Sequence, residues 1–451
     1  MNILMRPTLL RMAAVMLCCG AVGVQAQTLR QLYDAAHGYD AALQRAQARA
    51  RASLAQADQS QAGLLPQLAL QTGAQRNRLD MRMTGVSSGS GGHYNVWDSA
   101  LIGSQPLYRP ANRIAWDQGK KQAELAQTQL GAAEQDLIVR LSQACFDVLA
   151  AEDALRFVLA LKEAVAKQLE AAQRNFDLGN ATITDSHEAQ ARFDLARAQE
   201  ITAQNDLHVK RLALDQLVGQ NGSQPRPLAL PVTLPAPQPD NAEAWVNLAI
   251  DQHPALAQAR MALDIARLET DKAKAAHLPT VDMQVSVSQS RYPDGNPALI
   301  GMTPGSRYRT TSASVGVVLN WPLFAGFALE NRVRETLALQ DQARADLDDI
   351  ERTVSQATRA AFFGVQSGLS QVQALEAAEQ SSLTALQANQ LGYQVGVRIN
   401  IDVLNAQSQL YQTQRDLSQA RYDALLGLLR LKQSAGVLTP NDLLPIDQLM
   451  K

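Results

Sequence analysis

Phe176-Asp177-Leu178-Gly179-Asn180-Ala181-Thr182-Ile183-Thr184-Asp185 returns 217 residues later as Tyr393-Gln394-Val395-Gly396-Val397-Arg398-Ile399-Asn400-Ile401-Asp402. Ala189-Gln190 returns at the same offset as Ala406-Gln407. Farther out, Leu64-Leu65-Pro66 matches His277-Leu278-Pro279, and Pro106-Leu107-Tyr108 matches Pro322-Leu323-Phe324. Four landmarks in one order mark an internal duplication whose two copies play quasi-equivalent parts. Each copy reads as helix, strand pair, long helix, helix.

The strands of the second copy are the clearest. In Thr280-Val281-Asp282-Met283-Gln284-Val285-Ser286-Val287-Ser288 the odd residues are apolar and the even ones polar. Ser312–Trp321 repeats the pattern, again with the odd residues apolar. Alternation over nine or ten residues has the length of a transmembrane β-strand. It equally suits a half-buried strand of a soluble sheet. Tyr308 and Trp321, near opposite ends of the last strand, favour a membrane with aromatic girdles.

The strand count then constrains assembly. Four strands per chain neither close a barrel nor leave their edges bare in lipid. Three chains give twelve strands, enough for an aqueous lumen. Two chains would give eight, whose interior is filled by side chains. If the strands lie in a membrane, the expected fold is therefore mixed α+β, with long helices and a trimeric twelve-stranded outer-membrane β-barrel.

The helices are read from proline and glycine. Residues 111–178 contain no proline, and as one helix they would be about 100 Å long. Gly179 stops it, and Thr184-Asp185-Ser186 is expected to cap the next. The expected organisation is an export signal at 1–26 and a first repeat at 27–223, with an opening helix over 29–61. Its strands are placed near 66–82 and 94–106, and its later helices near 111–178 and 186–218. A linker with six prolines follows at 224–241. The second repeat, 242–436, has a helix over 242–277, strands near 280–292 and 308–321, and helices near 329–394 and 402–435. A C-terminal segment, 437–451, completes the chain.

Arg6, Arg11 and the apolar stretch Met12–Val24, ending at Val24-Gln25-Ala26, form the export signal. Leu17 before Cys18 is a poor context for lipidation. Cys145 is then the one cysteine of the mature chain, so no intrachain disulfide is expected. No later segment has the ~18 uninterrupted apolar residues of a membrane helix. A net charge of −2 gives no field for nucleic acid.

No enzyme signature appears, and neither a catalytic residue nor a cofactor is expected. His37, His93, His187, His208, His253 and His277 lack metal-ligand spacing. Asp348-Asp349-Glu351 reads as a solvated helix face, and Cys145 as a small packing residue.

Gly392–Gln407, with Gln409-Leu410-Tyr411 and Ala420-Arg421-Tyr422 beyond it, resembles the TolC family of outer-membrane efflux and secretion channels. So do Leu65-Pro66-Gln67-Leu68 and Trp321-Pro322-Leu323-Phe324-Ala325-Gly326. The likeness covers nearly all of the mature chain and points to the non-lipidated branch. It implies a homotrimer in the outer membrane of a Gram-negative bacterium, with a hollow helical barrel reaching into the periplasm. It implies two partners, a periplasmic adaptor and an inner-membrane transporter, either an ABC or a proton-driven pump. Carried over residue by residue, the resemblance places Tyr393, Arg398, Thr184 and Asp185 in the closed periplasmic gate. Asp402 matches one acidic ring of the pore constriction, whereas Asn405 stands where the family has a second. Leu178-Gly179-Asn180 and Val395-Gly396-Val397 match the tip turns that meet the adaptor. The implied function is a passive exit channel for type I protein secretion or drug efflux. A soluble periplasmic coiled-coil scaffold or chaperone is the alternative that the residues alone leave standing.

Overall fold

The computed structural model describes residues 26–81, 90–179, 182–295 and 306–450. The export signal, all but its last residue, lies outside the described residues. The elements are α1 (Leu29–Tyr39), α2 (Ala41–Gln61), β1 (Gln67–Met81), β2 (Ser90–Tyr108), α3 (Pro110–Asp177) and α4 (Ile183–Val218) in the first half. The second half holds α5 (Ala242–Gln252), α6 (Pro254–Ala275), β3 (Thr280–Tyr292), β4 (Tyr308–Asn320), α7 (Ala328–Gln394), α8 (Asn400–Ser434) and α9 (Leu443–Gln448).

Two helices expected to be continuous are broken. Between α1 and α2, Asp40 leaves the helical region and its carboxylate accepts from the Leu43 amide at 2.8 Å, starting α2. The same carboxylate takes the Arg140 guanidinium at 3.0 Å. Between α5 and α6, His253 is extended because Pro254 follows it, and proline forbids the helical conformation to its predecessor. A third correction concerns the start of α4. Thr182 is the cap, not the Thr184–Ser186 segment, because Thr182 and Asp185 form a capping box.

The chain forms two compact units, and each draws on both repeats. One comprises Gln47–Gln129 and Ala255–Ile350 and holds the sheet. Its strands are antiparallel in the order β1-β2-β3-β4, so the β2–β3 pair joins one repeat to the other. Register puts Leu70, Leu101, Val287 and Ala313 in one row and Leu68, Gly103, Val285 and Val315 in the next. The opposite face carries Gln71, Ala100, Ser288 and Ser312 in one row and Ala69, Ile102, Ser286 and Ser314 in the next. There Ser286 and Ser314 are 2.9 Å apart, Ser288 and Ser312 2.8 Å. In these rows of β3 and β4 one face is thus apolar and the other hydroxylated, as in a barrel wall between lipid and water. Arg109 grips Asp282 with two bonds of 2.7 and 2.6 Å where β2 gives way to α3. Below the sheet, Glu269 of α6 accepts from Gln118 of α3 at 3.0 Å and from Arg332 of α7 at 2.7 Å, and also pairs with Lys272.

The other unit comprises the described residues up to Ala46, Leu130–Pro254 and those from Glu351 on. Its largest core gathers Leu29, Leu32 and Leu43 with Leu137, Leu141 and Leu149 of α3, Leu214 of α4, and Leu425 and Leu429 of α8. Buried Cys145 lies in this core, and burial raises its thiol pKa, as suits a packing residue. Asp447 of α9 caps α1 by accepting from the Leu29 and Arg30 amides at 2.6 and 3.1 Å. The proline-rich segment pairs with both ends of the described chain, at Gln27–Pro225 and Leu228–Met450. No described helix is long and apolar enough to cross a membrane.

Candidate functional site

The two helical hairpins α3–α4 and α7–α8 end in turns built by glycine. Gly396 has φ +79°, and the Gly396 and Val397 amides donate to the carbonyls of Tyr393 and Gly392 at 3.1 and 2.9 Å. This is a Schellman closure, which needs a left-handed residue. Gly179 plays the same part in the first copy, with φ +76° and its amide on the Phe176 carbonyl at 2.8 Å. Asn180 lies outside the described residues. Around the turns, Leu178, Val395, Val397 and Ile399 are exposed, each by 61% or more. Solvent-facing apolar side chains at two neighbouring hairpin ends are more than a free helix turn requires.

Behind the turns the hairpins pack on each other. Val165 and Ala172 of α3, Ala189 of α4 and Leu404 of α8 form one cluster. Leu386, Val403 and Leu410, with Tyr393 against them, form another within α7–α8. Near the tip, among the described residues, three side-chain bonds cross from the first repeat to the second. The Asn175 amide donates to the Tyr393 hydroxyl at 3.4 Å. Arg192 donates to the Asn405 carbonyl oxygen at 2.8 Å. Gln168 donates to the side chain of buried Asn400.

The gate and constriction residues expected from sequence all lie among the described residues. Arg398 faces Asp402 one turn along, at 3.7 Å, and is mostly exposed. Asp185 is held by Thr182. Thr184 is exposed. Within one chain the structure therefore joins Arg398 to Asp402 and Tyr393 to Asn175, rather than either to Asp185. Gly392 explains where Arg398 lies: a Cβ there would sit 2.6 Å from Arg398 Cγ. Asn175, Gln168, Asn400 and Arg192 were not singled out, being polar residues among many on polar helices. Among the described residues, no group of three His, Cys, Asp or Glu side chains is placed to hold a metal.

The family model described as outer membrane efflux protein matches residues 32–220 and 245–437, most of the chain and both repeats. The chain belongs to the outer membrane efflux protein family. It is 32% identical to the outer membrane protein TolC of Vibrio cholerae over 95% of both chains. It is 33% identical to the alkaline protease secretion protein AprF of Pseudomonas aeruginosa, over 78% of this chain and 72% of that one. Among solved structures, it is similar to the outer membrane protein VceC of Vibrio cholerae, with TM-score 0.76, 20% identity and coverage of 90% and 96%. It is also similar to the CmeC outer membrane channel of Campylobacter jejuni, with TM-score 0.77, 16% identity and coverage of 94% and 90%. This family member is thus an outer-membrane export channel with the protomer fold of TolC-like trimeric channels. The soluble scaffold alternative falls with that assignment.

Proposed function

We propose that three copies of this chain close a twelve-stranded barrel and carry a secreted polypeptide out through it, without catalysing any reaction. The observation that carries the reading is the sheet. β1 and β4 are its edges, 15 and 13 residues long, and among the described residues each pairs on one side only. Bare strand edges are not tolerated in lipid, so β4 of one copy pairs with β1 of the next until the ring closes. Protein cargo is favoured by relatives named for protease secretion, AprF at 33% identity and PrtF of Dickeya chrysanthemi at 28% over 96% of this chain.

The tip is the gate. Asn175–Tyr393 and Arg398–Asp402 hold the ends of the helices in the closed state, and Thr184 and Asp185 sit where a neighbouring copy's α7–α8 turn reaches. The exposed Leu178, Val395 and Val397 around Gly179 and Gly396 form the contact for a periplasmic adaptor that links the duct to an inner-membrane transporter. Asp402 and Asn405 line the narrowest ring. Purified protein should migrate as a heat-sensitive trimer and form pores in planar bilayers. A stable monomer without pore activity would reject the reading.

A further inference from the structure

Beyond the apolar rows of the sheet, the membrane-facing side passes through one polar row, Thr72, Ser99, Gln289 and Thr311, and then turns basic. Register places Ala74, Trp97, Arg291 and Arg309 in one row across all four strands. Arg76 stands opposite Asn95 one row farther out, and Arg78 opposite His93 in the next. Directly opposed residues share a face, so these four arginines lie on the side of Val285, Val287, Val315 and Leu70. All four are exposed. Arg291 and Arg309 face each other as like charges, an unfavourable cross-strand pair. Among the described residues none of the four has an ion pair; Arg291 donates only to Gln289, at 3.1 Å. The nearby carboxylates form no ion pair with them among the described residues and are fewer, so they offset the four charges only in part. Asp80 is a single charge at the end of β1, Asp294 takes the Asn95 amide at 2.6 Å, and Asp98 takes the Ser290 hydroxyl on the opposite face at 2.6 Å.

Depth identifies what meets this patch. Trp321, at the other end of β4, is twelve residues from Arg309. That is about 40 Å of strand, or about 30 Å along the membrane normal at a tilt of ~40°. The hydrocarbon core is also about 30 Å thick. With Trp321 at the inner interface, Arg309, Arg291 and the level Trp97 stand among the outer-leaflet headgroups.

We propose that Arg76, Arg78, Arg291 and Arg309 bind the phosphate groups of phosphorylated outer-leaflet lipid. Guanidinium forks match phosphate oxygens bidentately, and one phosphate between Arg291 and Arg309 turns their repulsion into a bridge. Closing the barrel repeats the patch around its rim, so lipid is held as a ring. The inference rests on the sheet spanning the outer membrane, but not on the gate or the cargo.

The test uses full-length protein in detergent micelles, with bound lipid counted by native mass spectrometry. Diphosphorylated lipid A, phosphatidylcholine and inorganic phosphate are the probes. Wild type should retain lipid A at least tenfold more tightly than phosphatidylcholine. Arg291→Gln/Arg309→Gln should lose that preference, Arg291→Lys/Arg309→Lys should keep part of it, and Lys121→Gln, on α3, should keep it whole. Trimer on a native gel reports folding; if the double Gln variant does not assemble, Arg76→Gln and Arg309→Gln are read singly. Equal retention of both lipids by wild type, or an undiminished preference in the Gln variants, overturns the proposal. Full displacement of lipid A by millimolar phosphate does so too, by showing a plain anion site. Absence of both lipids from every form would instead count against the membrane-spanning sheet.

Discussion

Arg192 of α4 donates to the side-chain carbonyl of Asn405 on α8 across 2.8 Å, so a cation from the first repeat stands beside the neutral member of the proposed constriction. Asp402, one turn away, is itself shared with Arg398 at 3.7 Å. The expected consequence is weak block by trivalent cations, since the local field has lost one acid and gained one guanidinium per protomer. Single-channel recording with a trivalent cation checks this. Replacing Asn405 by Asp together with Arg192 by Gln should tighten block at least tenfold, about 1.4 kcal/mol. Asn405→Asp alone should gain little, because Arg192 would pair with the new carboxylate. Wild-type block as tight as that of the double variant would remove the idea.

If the tip is the gate proposed above, its opening is expected to need little energy. The Asn175–Tyr393 bond is long, at 3.4 Å, and the Arg398–Asp402 pair is largely exposed. Taken as about 0.5 kcal/mol each, the two contacts in three protomers sum to about 3 kcal/mol. That is on the order of a hundredfold in the open-to-closed ratio. Tyr393→Phe with Arg398→Ser should therefore raise mean conductance and admit large antibiotics to cells making the variant. Unaltered conductance and unaltered antibiotic sensitivity would show that other contacts hold the tip shut.

The sheet was legible because lipid and water impose opposite demands on its two faces. Val281, Met283, Val285 and Val287 alternate with Asp282, Gln284, Ser286 and Ser288, and no other element type produces that period. The outer part of β2 was less legible. Ser90–Tyr94 extends past the apolar rows and shows no alternation, so the strand was expected to begin at 94. The break at Asp40 was hidden for a different reason. It depends on Arg140, a hundred residues away, and no local signal announces such a partner. At the tip, the glycine turns were readable from the repeat. Their bonds were not, since Gln168, Asn175 and Arg192 resemble dozens of other helix-surface residues. The repeat does hold a clue to the asymmetry: Tyr393 and Arg398 stand where the first copy has Phe176 and Ala181.

Gly392 allows the strength of the proposed gate to be separated from fold stability. Inside a helix, alanine is better than glycine by about 1 kcal/mol. Yet a Cβ at Gly392 would lie 2.6 Å from Arg398 Cγ and 3.3 Å from Arg398 Cβ, near the root of that side chain. Gly392→Ala should thus keep or raise the melting temperature while pushing Arg398 away from Asp402. Its conductance should move toward that of Arg398→Ser. A variant that melts no lower and conducts like wild type would show that Arg398 relaxes without losing its place.

Glu269 ties α3, α6 and α7 together just below the barrel, and its charge is what they share. Burial raises its pKa, but hydrogen bonds from Lys272, Gln118 and Arg332 outweigh that and bring it down to about 2, from an ordinary 4.5. A carboxylate lowered in the folded state stabilises the fold fully above its unfolded value. The contribution fades as pH falls from about 4.5 and is gone once pH drops below about 2. Melting curves of wild type should therefore shift downward across that window, in addition to any general acid effect. Glu269→Gln should melt lower at pH 7, because three donors lose their anion, and should show a shallower slope between pH 4.5 and 2. Parallel acid profiles for the two proteins would mean that the Glu269 charge does not hold the three helices.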